Sequence, residues 1–358
     1  MQLPRHSVAV DSLADGAFDA VVDVRSPSEF AEDHIPGAIN CPVLDDAERA
    51  RVGTLYKQVS PFAAKKLGAA LVAHNIARHV ETVFAERPRA WRPLVYCWRG
   101  GKRSGAMAHV LREIGWDAHT LEGGYKAYRR QVVERLTVLP ANFVFRVIHG
   151  VTGSGKSRLL HALAEAGAQV LDLEGLAAHR GSVLGGLPER PQPSQKMFDS
   201  RLLAALAALD ATRTVFVEGE SKKIGQLHVP DVLIEHMRAA DCVLLEAELA
   251  TRVALLNDEY RHFFEDRATL ETQLACLRSL HGQERVVRWQ SLAAEGHWEE
   301  LVRCLLADHY DPAYRRSAMR NFARLPQAIA VRVDSPEPES FARIARRLIG
   351  VRQEKSAA

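Results

Sequence analysis

Short apolar runs alternate along this chain with longer stretches whose apolar residues recur every three or four positions. Val21-Val22-Asp23-Val24, Leu94-Val95-Tyr96 and Asp117–Leu121 read as strands, as do Phe143–His149, Gln169–Asp172, Thr214–Val217, Ala240–Glu246 and Ala328–Val333. Between them lie helical patterns. Ser26-Pro27-Ser28-Glu29-Phe30 opens one with a cap and a proline in its first turn, and His34–Asn40 then reads as turn and strand. Asp45–Arg89 is one long helical stretch with Phe62, Leu67, Leu71 and Val80 on its apolar side. Ala106, Met107, Val110, Leu111 and Ile114 mark the next helix, followed by Lys126–Leu136, a helix through Leu159, Leu160 and Leu163, and Ser200–Leu209. The chain is then mostly helical to Leu306, with Trp289 and Trp298 in its core; His309–Tyr314 is a turn, and Phe341–Leu348 is a closing helix.

Strands alternating with helices predict parallel sheets of the α/β class. At 358 residues the chain is too long for one ordinary core. Pro140 ends a helix within Thr137–Asn142, so the boundary is placed there, giving domains 1–137 and 138–358. Gly181, Gly185, Gly186, Pro188, Pro191 and Pro193 mark a long mobile segment ending near Gln195. The polar tail Arg352–Ala358 reads as frayed.

Composition narrows the class. Apolar residues make up 47% and charged residues 25%, which are globular values. There is neither an apolar run of 18 residues nor a signal-peptide pattern, so neither membrane nor secretion is expected. The five cysteines (Cys41, Cys97, Cys242, Cys276, Cys304) are scattered and form no C-x-x-C pair. That argues against structural zinc and a disulfide framework and fits a reducing cytoplasm. A net charge of +3 gives no global pull on nucleic acid, so any such binding must come from local patches. Arg87/Arg89/Arg92, Lys126/Arg129/Arg130 and Arg315/Arg316/Arg320/Arg324 are the candidates, each equally readable as a solvated helix face.

Two loops carry chemistry. In Cys97-Trp98-Arg99-Gly100-Gly101-Lys102-Arg103-Ser104 a thiol follows a buried strand at the start of a helix. Successive backbone N–H groups there curl around an anion, and the positive surroundings favour the thiolate. Gly150-Val151-Thr152-Gly153-Ser154-Gly155-Lys156-Ser157 is G-x-x-x-x-G-K-S between a strand and a helix, a loop for a diphosphate or triphosphate. Its glycines admit phosphate oxygens, Lys156 neutralises charge, and Ser157 can ligate Mg²⁺. Asp172, Glu174, His179 and Arg180 follow the next strand, and Glu218 and Glu220 follow the one after. Glu218 reads equally as a magnesium- or water-orienting acid and as a solvent-facing loop acid.

The order D-V-R-S-P-S-E-F, H-I-P-G-A-I-N, Y-C-W-R-G-G-K-R-S, L-E-G-G-Y closely resembles a rhodanese domain. The resemblance implies that Cys97 carries sulfur or another chalcogen and that Asp23 and Arg25 buttress the site. Cys97 to Arg103 is C-x5-R where many rhodaneses have C-x4-R. The wider ring, as in rhodanese-like dual-specificity phosphatases, suits a tetrahedral anion. With D-L-E-G-L-A-A-H-R-G-S, Q-P-S-Q, V-E-G-E-S-K-K-I-G and H-Y-D-P-A-Y in the second half, nearly the whole chain resembles the tRNA 2-selenouridine synthase family. Its fold is a rhodanese-like parallel sheet domain followed by a P-loop NTPase-like α/β domain with a helical C-terminal part.

That resemblance implies a substrate, 2-thiouridine in a tRNA anticodon, whose sulfur is geranylated with geranyl diphosphate and then replaced by selenium from selenophosphate. Set beside that chemistry, the residues place geranyl diphosphate on Gly150–Ser157, and lead to the expectation that the Cys97 thiolate takes selenium as a perselenide while Arg99 and Arg103 hold the phosphate portion. An enzyme supplying selenophosphate is an implied partner. Trp98 reads either as a stacking platform for the base or as packing beneath the loop. Three other readings stay open: a rhodanese sulfurtransferase coupled to an ATP-dependent kinase or ligase; a cysteine phosphatase, although Tyr96 stands where such enzymes have His; and a non-catalytic tRNA-binding carrier.

Overall fold

The computed structural model describes residues 6–182, 184–187, 190–314 and 321–355. The chain divides into two compact units, the first comprising Met1–Arg135 with Pro193–Ala204, the second Leu136–Gln192 with Ala205–Ala358. The short stretch Pro193–Ala204 therefore groups with the first unit, although it lies in the second half of the sequence.

The first unit is built on five parallel strands: β1 (Ser7–Val8), β2 (Ala20–Asp23), β3 (Ile39–Asn40), β4 (Pro93–Tyr96) and β5 (His119–Leu121), in the order β1-β5-β4-β2-β3. All four residues of β4 are buried, as a central parallel strand requires. Helix α1 (Pro27–Glu32) starts with a capping box between Ser26 and Glu29. The long helical stretch expected from Asp45 to Arg89 is two helices, α2 (Asp46–Gln58) and α3 (Pro61–Thr82). Ser60 caps the second and Pro61 starts it, so the backbone cannot run through as one helix. Val22, Val24, Val95, Met107 and Leu111 form the core with the edge-packed rings of Phe84, Trp91 and Trp116. Each large side chain buried there contributes about 1.5–3 kcal/mol. Helices α4 (Lys102–Ile114) and α5 (Gly124–Leu136) follow β4 and β5.

In the second unit, β6 (Phe145–Gly150), β7 (Gln169–Leu171), β8 (Val215–Glu218), β11 (Asp241–Ala247) and β12 (Ile329–Val333) form a parallel sheet in the order β12-β11-β6-β8-β7. An antiparallel hairpin of β9 (Lys223–Ile224) and β10 (Leu227–His228) stands apart from it. Helix α6 (Lys156–Glu165) and the C-terminal helix Pro338–Lys355 pack on the sheet through Leu159, Leu163, Phe341, Ile344 and Leu348. A separate helical cluster holds Leu270, Leu274, Trp289, Leu301 and Leu305. Trp289 is fully buried there, whereas Trp298, expected in the core, is half-buried at its edge.

The segment read as mobile carries structure. Within it His179 bridges to Gly186 and Leu187 to Arg190, and α8 (Gln195–Ala207) begins at its end, while helix α7 (Leu173–Ala177), capped by Asp172, precedes it. Pro188 lies outside the described residues.

Candidate active sites

The thiol loop hangs from the central strand β4. Cys97 follows Tyr96, is only 4% exposed, and sits beneath the first turn of α4. Its Sγ lies 3.3 Å from the Ser104 hydroxyl and accepts from the Gly101 N–H at 3.3 Å. Burial opposes ionisation of the thiol. Hydrogen bonds from the Ser104 side chain and from backbone N–H groups of Ser104, Gly101 and Arg99 outweigh it, so the thiol pKa falls below its ordinary value. Gly100 adopts φ +64°, and a Cβ there would stand 2.4 Å from the Leu121 carbonyl oxygen. Only glycine lets the loop close on β5 in this way. The first turn of α5 is tied to the same loop, with Tyr125 and Lys126 N–H groups donating to the carbonyls of Cys97 (2.8 Å) and Trp98 (3.0 Å).

Asp23 and Arg25 do stand at the neighbouring strand end, but both are consumed as support. Arg25, buried, pairs with Asp23 at 2.6 Å, donates to the Asp33 carbonyl at 2.6 Å and lies 3.9 Å from the Tyr125 ring centroid. Tyr125 in turn donates to Asp33 at 2.7 Å. Arg103 is held by Glu29 at 3.1 Å, and that pairing, acting against burial, keeps the Glu29 carboxyl ionised below its usual range. Arg99, Gly101 and Lys102 are exposed at the loop. Trp98 is 37% exposed and tilted against Tyr125 at 5.3 Å, so one face packs and the rest meets solvent.

The phosphate loop hangs in the same way from β6. Gly155 takes φ +84° as the cap of α6, where a Cβ would strike the Phe341 ring at 2.6 Å. Lys156 Nζ donates to the Gly150 carbonyl at 3.1 Å, and the Gly150 N–H donates to the Tyr314 hydroxyl at 3.0 Å. Ser157 donates to Glu174 at 3.0 Å, and Glu218 accepts from the Glu174 N–H at 2.7 Å. Thr152 and Gly153 also line the cavity, while Ser154 is fully buried beneath the loop. The cavity, about 610 Å³, is lined further by His149, Arg180, Glu220 and Tyr314.

Glu218 is 1% exposed, which removes its reading as a solvent-facing acid. Burial, then the neighbouring Asp172 and Glu174, raise its pKa well above the usual carboxyl value. Burial and Glu174 push Glu220 up to about 8, with Lys156 opposing. The other acids and bases named from sequence separate. Asp172 caps α7 through the Gly175 N–H at 2.7 Å, and His179 accepts from the Gly181 N–H at 3.1 Å; neither lines the cavity. Arg180 does, anchored on the Glu259 carbonyl at 2.6 Å.

Sequence reasoning missed His149, Arg252 and Tyr314. His149 is 1% exposed, packs edge-on against Phe322, and is pushed down to about 4 by burial and by Lys156. Its position directly before the loop was the signal. Arg252 donates to the Thr152 carbonyl at 2.9 Å and pairs with Asp311, bracing the loop from about a hundred residues away with no local pattern to announce it.

A second, narrow cavity of about 50 Å³ opens beside the phosphate cavity and shares Thr152, Leu256, Tyr260 and Tyr310 with it. Its wall is otherwise almost wholly apolar: Leu184, Phe263, Phe264, Leu270, Trp298, Leu301 and Leu305.

The basic patches fare unevenly. Arg92 pairs with Asp117, Arg129 with Asp199, and Arg324 with Asp241, so those charges are partly spent within the fold. Arg315, Arg316 and Arg320 lie outside the described residues.

A buried thiolate ring on one parallel sheet and a glycine–lysine loop on another define a rhodanese-like domain joined to a P-loop domain. The chain matches the model of the rhodanese-like domain over residues 7–131 and that of the tRNA 2-selenouridine synthase AAA domain over 143–276. It is 39% identical to the tRNA 2-selenouridine synthase of Nitrosomonas europaea over 67% of this chain and 63% of that relative. Longer matches reach those of Hydrogenovibrio crunogenus (34%) and Alcanivorax borkumensis (35%), each covering 82% of this chain and 88% of the relative. The chain belongs to the tRNA 2-selenouridine synthase family. Among the described residues no helix is long and apolar enough to cross a membrane.

Proposed function

We infer that this chain is a transferase that makes 2-selenouridine in tRNA in two stages, one at each loop. In the first, geranyl diphosphate seats its diphosphate on Gly150–Ser157. The 2-thiouridine sulfur attacks the first carbon of the geranyl chain, the C–O bond breaks, and the diphosphate leaves with the electron pair. Backbone N–H groups and Lys156 stabilise that charge. Alkylation turns a poor leaving group into a departing thiol. In the second stage, selenium from selenophosphate replaces the geranylthio group with the help of Cys97, and Arg99 and Arg103 hold the phosphate. The two domains expected at 1–137 and 138–358 thus divide the work.

The observation that carries the prenyl reading is the narrow apolar cavity continuing the phosphate cavity. Apart from Thr152, Asn257 and two tyrosines its wall is apolar, which suits a hydrocarbon tail better than a nucleotide base; at about 50 Å³ it takes only part of a geranyl chain without widening. Ser157, Glu174 and Glu220 fit a hard divalent cation, being oxygen donors gathered beside Lys156, with Glu174 and Glu220 hydrogen-bonded to each other. Such an ion supplies further positive charge to a diphosphate. The anticodon base can be splayed out and stacked on the exposed face of Trp98.

The test is mass analysis of 2-thiouridine tRNA incubated with the protein and geranyl diphosphate, with and without selenophosphate. A geranylated nucleoside that becomes selenouridine when selenophosphate is added is the expected result. An unchanged tRNA with ATP consumed instead would replace this reading by a sulfurtransferase coupled to a kinase or ligase.

A further inference from the structure

We propose that Cys97 breaks the selenium–phosphorus bond of selenophosphate by attacking phosphorus, passing through a cysteinyl phosphate, and that Ser104 positions its thiolate. This rests on the reading above that selenophosphate is the selenium donor.

Counting electrons separates the two ways a thiolate can meet this donor. If sulfur attacks selenium, a sulfur–selenium bond forms and the selenium–phosphorus pair must depart on phosphorus. Phosphorus is then reduced to the phosphite level while selenium is oxidised. If sulfur attacks phosphorus, the same pair departs on selenium and no oxidation state changes. The thiolate and hydrogen selenophosphate give cysteinyl phosphate and hydroselenide. Water then attacks the cysteinyl phosphorus, the sulfur–phosphorus pair returns to Sγ, and dihydrogen phosphate leaves. Hydroselenide attacks C2 of the geranylated base, its proton leaves with the geranylthiolate as geranylthiol, and C2 keeps selenium.

The loop is built for the second route. Five residues separate Cys97 from Arg103, one more than in the C-x4-R loops of many rhodaneses, and the extra residue gives the ring a further N–H group for a tetrahedral oxyanion. The thiol lies buried at its base, where it meets the central atom of an anion seated on the N–H groups. Arg103 stands at the ring's far end, fixed by Glu29 at 3.1 Å. The Ser104 hydroxyl, fully buried, lies 3.3 Å from Sγ. It donates to the Gly101 carbonyl at 3.2 Å, and its proton turns from there to sulfur when sulfur carries charge, both before attack and as the cysteinyl phosphate is hydrolysed.

The experiment uses the full chain with phosphorus-radiolabelled selenophosphate, geranylated tRNA and rapid denaturation. Wild type, Ser104→Ala and Cys97→Ser are compared, and selenouridine is measured in the same tubes. Label on the Cys97 peptide is expected, raised about tenfold or more in Ser104→Ala because hydrolysis loses a hydrogen bond to the departing thiolate. Cys97→Ser should carry none at this peptide. A phosphoryl group and selenium add nearly the same mass, so the selenium isotope envelope tells them apart. Phosphorus NMR of the spent donor gives a readout independent of any variant, with phosphate as the expected product. Phosphite, or a Cys97 peptide showing the selenium envelope without label, overturns attack on phosphorus. So does selenouridine formed by wild type with no label on Cys97 in any protein. If wild type forms no selenouridine from geranylated tRNA, the donor assignment itself falls.

Discussion

The two loops share one architecture and differ in what fills it. Each leaves the end of a central strand, buried throughout in β4 and at every residue but Arg146 in β6, turns through a glycine with positive φ, and enters a helix. In the first unit the turn begins with a thiol, and the neighbouring polar groups stabilise charge on it. In the second the turn holds no nucleophile. Lys156 rests on the Gly150 carbonyl, and carboxylates with raised pKa values crowd behind Ser157. One loop is therefore arranged to start a bond and the other to receive a leaving group. The same backbone anion site serves either purpose, and the few side chains around it decide which.

The largest expected effect breaks the first loop. Cys97→Ser should lower selenouridine formation about 10³-fold or more, with geranylated tRNA accumulating, as nucleoside mass analysis would show. Next comes Lys156→Ala, which should cost about 10²–10³ in geranyl transfer by removing a charge partner of the departing diphosphate; single-turnover kinetics with thiolated tRNA would measure it. A smaller change sharpens the role of the apolar cavity. Leu301→Trp should lower the ratio of ten-carbon to five-carbon prenyl transfer about tenfold in direct competition, a ratio insensitive to the folded fraction. Equal ratios in variant and wild type would move the tail elsewhere.

The smallest effects are titrations. Cys97 reacts as thiolate, so its alkylation rate should fall as pH drops through a pKa below the ordinary thiol value of 9.0, and Ser104→Ala should move that inflection upward. Glu220, with its pKa raised to about 8, favours the folded state while protonated. That contribution is complete below the unfolded carboxyl value of 4.5 and is lost as pH rises through about 8. The metal-free protein should therefore melt a few degrees lower at the alkaline end, and Glu220→Gln should flatten that slope.

Both loops, and every strand of the two parallel sheets except β1, were legible in the sequence, because periodicity and glycine-rich turns are local signals; two-residue strands such as β1, β9 and β10 are too short to show a period. What escaped it depends on distant contacts. Burial of Glu218 follows from its place at the end of the fully buried β8, which no local pattern distinguishes from an exposed loop acid. Arg252 reaches the phosphate loop only because the helix Leu249–Glu259 is folded beside it. Pairing consumed Arg25 and much of Arg129, two cations that composition alone offers freely to an anion. The apolar cavity draws walls from Leu184 to Tyr310, so no single stretch revealed it.

The division of labour between the loops is tested most directly by supplying tRNA already geranylated at 2-thiouridine, with selenophosphate, to the Lys156→Ala and Cys97→Ser proteins side by side. Lys156→Ala should form selenouridine at close to the wild-type rate and Cys97→Ser none. Loss of selenouridine in a folded Lys156→Ala protein, or its full formation by Cys97→Ser, would contradict that division.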